Sequence, residues 1–105
     1  MQARIAFVTT PGRRVSESLM RLVVDGKLAA CANRIPGLTS RYWWKGRVET
    51  AREELLMFKT TSAKIPALIR TVREHHPYDV CEVLVVPVRT GNPPYLEWIQ
   101  RSLER

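Results

Sequence analysis

Two adjacent histidines, His75 and His76, are the side chains in this sequence best suited to metal chemistry. Imidazole nitrogens bind copper, zinc and nickel, and the thiol of Cys81 follows close behind. Neighbouring helical residues project about 100° apart, so both rings reach one ion only where Pro77 ends the helix. The alternative is that the pair complements the dipole at a helix C-terminus. His75, His76 and Cys81 are therefore candidate ligands for Cu(II) or another divalent cation.

A second polar set, Lys59, Tyr78 and Glu82, lies in or beside apolar segments. Buried charges are normally paired, so Lys59 and Glu82 could pair across a sheet and line a cleft, or form a purely structural ion pair. Glu53 and Glu54 are neighbours in a predicted strand and face opposite sides, so we expect solvation or salt bridges rather than a paired-carboxylate site.

The sequence contains no G-x-G-x-x-G, G-x-x-x-x-G-K-[ST], G-x-S-x-G or H-E-x-x-H motif. Its only histidines are adjacent to each other, which gives no Ser/His/Asp set. We therefore predict no catalytic residue and no organic cofactor.

The elements that position these residues follow the order βαββαβα. Periodicity and turn residues predict strands at 3–10, 28–44, 48–60 and 80–88, and helices at 13–25, 62–76 and 95–103. Gly26 is expected to be the left-handed cap of the first helix and Ser62 the N-cap of the second. The order indicates one α+β domain, residues 1–105, with a ferredoxin-like antiparallel sheet, helices on one face, and an additional C-terminal helix.

The two middle strands are too long for a domain of this size. Residues 28–45 would span roughly 55–60 Å when extended, whereas a domain of this length has a radius of gyration of about 13 Å. Lys45-Gly46 predicts a tight turn, and Pro36-Gly37 predicts a bend or bulge. The tip carries Tyr42, Trp43 and Trp44, so aromatic rings face both sides. We predict that the tip leaves the domain and self-associates, the alternative being that it folds back over its own sheet.

The formal net charge of +7 lies entirely in the first half of the chain, because residues 1–47 hold nine basic and two acidic residues. Such asymmetry can indicate an anionic partner, but Arg13-Arg14 is the only adjacent basic pair there. RNA-recognition domains share the βαββαβ order. The third strand, Glu53-Glu-Leu-Leu-Met-Phe58, lacks their spaced aromatic and basic residues. A solvated basic face is therefore favoured over a nucleic-acid partner.

No apolar run approaches the about 18 residues of a membrane span, and the opening apolar stretch is too short for a signal peptide. Cys31 and Cys81 show no C-x-x-C spacing and are expected to be reduced and mostly buried. Together these features predict a cytoplasmic protein without a membrane partner.

Taken together, the segments resemble the divalent-cation tolerance (CutA) family. The matching pieces are Lys27-Leu-Ala-Ala-Cys-Ala-Asn33, Ile35-Pro-Gly37, Ser40, Tyr42-x-Trp44-x-Gly46, Glu49, Glu54, Lys59-Thr60, His76-Pro-Tyr78, Glu82, Pro87, Gly91-Asn92 and Tyr95-Leu96-x-Trp98. The resemblance implies a homotrimer assembled through the hairpins, with Tyr42, Trp43 and Trp44 at the trimer interface, and a likeness to PII-type signal proteins. It also implies a role in tolerance of divalent metals, copper above all, with no established catalytic reaction.

This sequence departs from the family pattern at three places. Copper-binding members combine the histidine pair with a cysteine on the first strand, where this chain has Val8. Cys81 stands where the family usually has proline, and Arg13-Arg14 replaces an acidic helix opening.

A further hypothesis is a small-molecule sensor or enzyme acting at inter-subunit clefts near Lys59, Tyr78 and Glu82.

Overall fold

Alternating apolar residues and two amphipathic helices build a mixed α+β fold around one antiparallel sheet. The computed structural model describes residues 2–104; Met1 and Arg105, the ends of the predicted 1–105 domain, lie outside the described residues. Within this part the elements are β1 (Ala3–Thr10), α1 (Arg13–Asp25), β2 (Cys31–Trp44), β3 (Arg47–Thr61), a 3-10 turn (Ser62–Lys64), α2 (Ile65–His75), β4 (Leu84–Pro87) and α3 (Pro93–Ser102). This succession confirms the predicted order βαββαβα. In the sheet the four strands are ordered β2-β3-β1-β4.

The core lies between one face of the sheet and the first two helices. It is formed by Ala6 and Val8 of β1, Leu56 and Phe58 of β3, Leu19 and Val23 of α1, and Leu68 and Val72 of α2. The two-residue period of the strands and the three-to-four-residue period of the helices place these side chains together. Burying each large apolar side chain stabilises the fold by about 1.5–3 kcal/mol.

The third helix lies on the other side of the sheet. α3 packs against β1 and β3, and it brings Tyr95 beside Cys31, which lies on the face opposite the core. The prediction that the helices share one face therefore holds for α1 and α2 only. The remaining sheet surface is called here the open face.

The predicted bounds of α1 are confirmed, but two predicted helix caps were wrong. Gly26 has an ordinary negative φ, and the left-handed residue is Lys27, with a φ of 61°. A Cβ on Gly26 would lie 2.7 Å from the carbonyl oxygen of Leu22, so glycine is required for close approach instead. Ser62 begins the 3-10 turn rather than capping α2, which starts at Ile65 with proline in its first turn.

The hairpin formed by β2 and β3 projects from the domain, as predicted. Lys45 and Gly46 both have positive φ, as a two-residue hairpin turn requires. A β-bulge interrupts the register between Ile35 and Leu38, and Gly37 within it has a φ of 81°. Residues 41–50 are all exposed, and the molecule measures 44 Å along its longest axis against 25 and 22 Å across. The tip therefore does not fold back over its own sheet.

The strand predicted at 80–88 is shorter in the structure. β4 spans only Leu84–Pro87 and pairs with β1 from Arg4 to Phe7. Continuing this register would place Glu82 opposite Thr9, with its N–H aimed at the Thr9 carbonyl. That carbonyl instead accepts a hydrogen bond from Nε2 of His76 at 2.8 Å. A side chain from the end of α2 therefore takes the place of the next strand bond.

Candidate functional site

His76 is a buried link between β1 and the segment after α2. Its Nε2–H donates to the carbonyl of Thr9 at 2.8 Å, and its Nδ1 accepts from the backbone N–H of Tyr78 at 3.2 Å. Because a carbonyl can only accept and an N–H can only donate, these partners select the neutral tautomer with hydrogen on Nε2. Both ring nitrogens are thus engaged with the backbone.

The other two candidate metal ligands do not complete a site around His76. His75 is exposed and donates from Nδ1 to the carbonyl of Thr71 at 2.9 Å. Cys81 is half-buried and packs against the core. Val8, at the strand position where the resemblance implies a cysteine, is fully buried in the core. Across residues 2–104, no group of three or more His, Cys, Asp or Glu side chains could hold a metal ion. In this arrangement the three predicted ligands do not form one group, and a copper site at the histidine pair stays a prediction.

Tyr78 and Glu82 converge on Glu53 at the base of the hairpin. The Tyr78 hydroxyl donates to Oε2 of Glu53 at 2.7 Å, and its ring lies 4.6 Å from that of His76. Burial and the Glu53 carboxylate together raise the pKa of Tyr78. Burial, assisted by the charge of Glu53, also raises the pKa of Glu82. Glu53, which we expected to be solvated or salt-bridged, is a buried hydrogen-bond acceptor instead.

Lys59 lies away from this group. It sits on the open face between Cys31 and Ile5 in the sheet register. It lies six positions after Glu53 on β3, which is roughly 20 Å of extended chain. The ion pairs within residues 2–104 are Arg13–Glu17 and Arg34–Glu54, so the predicted Lys59–Glu82 pair is wrong for the single chain. A cleft that combines Lys59 with Tyr78 and Glu82 stays a prediction about neighbouring subunits.

Lys59 belongs to a polar cluster that the sequence did not reveal. Lys59 Nζ and Cys31 Sγ both donate to Oδ1 of Asn33, the latter at 3.8 Å. Burial raises the pKa of Tyr95, and the adjacent Cys31 raises it further. Three separate segments that carry the family resemblance therefore meet at one point. Counting residue pairs back from the turn at residues 45–46, and allowing one extra residue for the bulge, places Cys31 directly opposite Lys59.

A buried polar network holds the base of the hairpin. The Glu54 carboxylate accepts from Nε and Nη2 of Arg34, each at 2.7 Å, and from the Ser16 hydroxyl at 2.7 Å. Ser16 is in turn 2.6 Å from the hydroxyl of Thr10. The hydrogen bonds from Arg34 hold the pKa of Glu54 below its usual value. Arg34 and Glu54 are diagonal neighbours on adjacent strands, a relation visible only once the register is known.

The apolar open face continues into one side of the hairpin, where apolar and aromatic residues alternate with polar ones. On the sheet it carries Ile5, Phe7, Ile35, Leu55, Met57, Leu84 and Val86. The bulge inserts one extra residue, so that Leu38, Ser40, Tyr42 and Trp44 fall on the same side as Ile35. This side is called here the inner face of the hairpin. Trp43 lies on the opposite side, so the three aromatic residues predicted at an interface divide between two faces.

A concave surface lies beside α2. A groove of about 790 Å³ is lined by residues including Ile69, Arg70, Arg73, Tyr78 and Cys81. It combines apolar and basic side chains with the loop that follows His76. Among residues 2–104 no helix is both long and apolar enough to cross a membrane.

Residues 4–102 match the family described as CutA1 divalent ion tolerance protein. The chain belongs to this family. The Mus musculus protein CutA is 50% identical over 99 residues, which are 94% of this chain and 56% of the mouse protein. The divalent-cation tolerance protein CutA of Thermus thermophilus is 39% identical over 98 residues, covering 93% of this chain and 95% of that protein. The match is thus strong over almost the whole of this CutA1-family chain.

Solved structures agree with the fold. The crystal structure of CutA1 from Oryza sativa superimposes with a TM-score of 0.94 at 41% identity, covering 97% of this chain and 94% of that one. A curated rice relative is named as a chloroplastic protein. This chain spans about 55–62% of the length of the first curated relatives, from mouse, Xenopus laevis and human. The comparison therefore establishes the family for this stretch of chain.

Proposed function

We propose that this chain forms a homotrimer that acts in tolerance of, or response to, divalent metal ions, copper above all. The proposal describes a cytoplasmic, PII-like protein without a catalytic reaction. Membership of the CutA1 divalent ion tolerance family supports the metal-related role. The observation that supports the assembly is the exposed apolar surface of the open face, which continues on the inner face of the hairpin into Tyr42 and Trp44.

That surface is too extensive for a lone chain to leave in water. Leu84 is 62% exposed, and Ile35, Val86, Tyr42 and Trp44 are each about 40% exposed. Contiguous apolar patches of this kind mark interaction sites. A closed ring of identical copies buries the same patch on every copy and leaves no free end. Each projecting hairpin then reaches across a neighbouring subunit.

Light scattering at low protein concentration tests the assembly. The expected mass is three times that of one chain. Trp44→Ser, on the inner face, should shift the mass toward the monomer because it removes apolar contact area. Trp43→Ser is the matched control on the opposite face and should leave the mass unchanged. A monomeric wild-type protein would overturn the assembly proposal.

Copper titration tests the metal role separately. Since both ring nitrogens of His76 bond the backbone, copper can bind there only by displacing those partners. We expect Cu(II) affinity to fall in His75→Ala/His76→Ala, with zinc titrated in parallel. Unchanged stoichiometry and affinity in this double variant would exclude the histidine pair as ligands.

The second candidate function is small-molecule sensing at subunit clefts. It is favoured by the raised pKa values of Tyr78 and Glu82 and by the adjacent groove, because perturbed groups beside a concave surface cluster at functional sites. A thermal-shift screen of small anionic and cationic metabolites should show stabilisation that Tyr78→Phe reduces. If no compound stabilised the protein, the sensing proposal would be rejected and only the metal-tolerance proposal would remain.

A further inference from the structure

The hairpin has a second side, whose chemistry differs from that of the inner face. The cross-strand pairs Thr39–Arg52, Arg41–Thr50 and Trp43–Val48 point away from the open face. These six side chains are called here the outer face of the hairpin. All six residues are exposed in the structure.

The two sides carry different charges. The carboxylates Glu49 and Glu53 pair with Tyr42 and Leu38 and so belong to the inner face, together with one cation, Arg47. The outer face carries the guanidinium groups of Arg41 and Arg52 and no carboxylate. Arg41 uses one nitrogen to bond the Thr50 hydroxyl at 2.8 Å, which holds its fork against the ribbon and leaves its other donors for a ligand.

Trp43 gives the outer face an aromatic platform. It is 75% exposed, more than any other large apolar side chain described. The family motif Ser40-x-Tyr42-x-Trp44 places its defined residues on the inner face, and Arg41 and Trp43 occupy the intervening positions. Assembly through the inner face therefore does not require Trp43, and leaves it exposed with two cations on the same ribbon.

We propose that the outer face of the hairpin binds single-stranded nucleic acid, with a base stacked on Trp43 and phosphates paired with Arg41 and Arg52. The three cross-strand pairs succeed one another at about 7 Å along the ribbon, so Arg52, Arg41 and Trp43 follow in turn along the same side of it, the first on β3 and the other two on β2. Non-specific single-strand binding combines such a basic track with exposed aromatic rings. An acidic peptide would pair with the arginines but has no planar group that requires the tryptophan.

This mode of binding differs from that of RNA-recognition domains. Those domains stack bases on aromatic residues of the sheet itself, whereas the open face here is aliphatic and is assigned to assembly. The absence of spaced aromatic and basic residues from β3 therefore argues against nucleic-acid binding on the sheet. It does not argue against binding on the outer face of the hairpin. The excess positive charge of the first half of the chain strengthens the attraction.

Fluorescence anisotropy with a labelled oligothymidylate of about 20 nucleotides tests the proposal on the full chain. Binding should weaken steeply between about 50 and 200 mM salt. Arg41→Gln/Arg52→Gln should reduce the slope of log affinity against log salt by about 1.4, because each lost single-strand phosphate contact removes about 0.7. Trp43→Ala should weaken binding by about 5-fold to 100-fold, and Trp43→Phe by less.

Arg14→Gln/Arg21→Gln is the matched control, since it removes the same charge from exposed positions on α1, away from both the hairpin and the groove beside α2. It should leave the salt slope within error of the wild type. Equal loss in both double variants would overturn the proposal, as would absence of binding at the lowest salt. Binding to phosphatidylserine vesicles without binding to the oligonucleotide would also overturn it. Light scattering on each variant separates this result from a failure of assembly.

Discussion

Glu54 is the residue on which the base of the hairpin depends most directly. Its carboxylate joins Arg34 of β2 and Ser16 of α1, and through Ser16 it reaches the end of β1. Breaking a buried pair by removing one partner leaves the other uncompensated. Several elements therefore depend on one ionised group.

Glu54→Gln should lower the free energy of unfolding at neutral pH by roughly 1.5–3 kcal/mol. Because the folded-state pKa of Glu54 lies below its usual 4.5, the ionised form stabilises the fold above that pH. This stabilisation is lost as pH falls through the folded-state pKa. Urea unfolding at neutral and acid pH should therefore show a weaker acid dependence in the variant.

The exposed Arg13–Glu17 pair provides the control for this measurement. Its side chains are 74% and 46% exposed at 3.0 Å, so Glu17→Gln should cost under about 0.5 kcal/mol. Equal destabilisation by the two substitutions would show that the Glu54 network does not contribute as described.

His75 and His76 should differ sharply although they are neighbours. His76→Ala leaves the Thr9 carbonyl and the Tyr78 N–H without their partner and should cost about 1–3 kcal/mol. His75→Ala removes an exposed side chain and should change stability by less than about 0.5 kcal/mol. Urea unfolding of both variants in metal-free buffer checks the difference, and similar values would contradict a structural role for His76.

Among the elements, the bulge in β2 sets how the hairpin is built. Successive residues of a strand face opposite sides, so residues three positions apart would normally face apart. The extra residue in the bulge places Ile35 and Leu38 on the same side. Gly37 is required because its φ of 81° is unfavourable for residues with a Cβ.

Gly37→Ala should destabilise the protein by about 1 kcal/mol, whereas Gly91→Ala should change stability by less than about 0.5 kcal/mol. A Cβ would meet no atom within 4 Å at Gly37, and at Gly91 it would make ordinary contact with the Leu96 side chain at 3.4 Å. Backbone conformation separates the two positions, since Gly37 has a positive φ and Gly91 does not. Thermal or urea unfolding of the two variants is the measurement, and an equal effect would mean that the bulge tolerates a Cβ.

The same element shows how far sequence reasoning extends. Pro36-Gly37 and Lys45-Gly46 encode their conformations locally, so the bulge, the turn and the exposed tip could be predicted. The length of β4 could not, because a histidine far along the chain takes the carbonyl of Thr9. The pairing of Lys59 with Asn33 rather than Glu82 likewise depends on register across the bulge. The length of β4 and the partner of Lys59 both depend on hydrogen bonds between residues far apart in the sequence, which local patterns do not reveal.

At the scale of the whole molecule, the proposed assembly makes stability depend on concentration. Ligand-like binding between copies stabilises the folded state by mass action. The melting temperature of the wild type should therefore rise with protein concentration, and that of Trp44→Ser should rise less. Differential scanning fluorimetry over a dilution series measures this. A melting temperature independent of dilution in the wild type would contradict an assembly linked to folding.

His76 also makes two events mutually exclusive. Its imidazole can bond the backbone of β1 and the Tyr78 segment, or it can serve an incoming ligand, but not both at once. Any occupant of Nε2 would free the Thr9 carbonyl, which is the acceptor that a longer β4 needs. A ligand on His76 would therefore release the Thr9 carbonyl and allow β4 to pair with β1 over a longer stretch. Ligand binding at this ring would thus change the length of the edge strand.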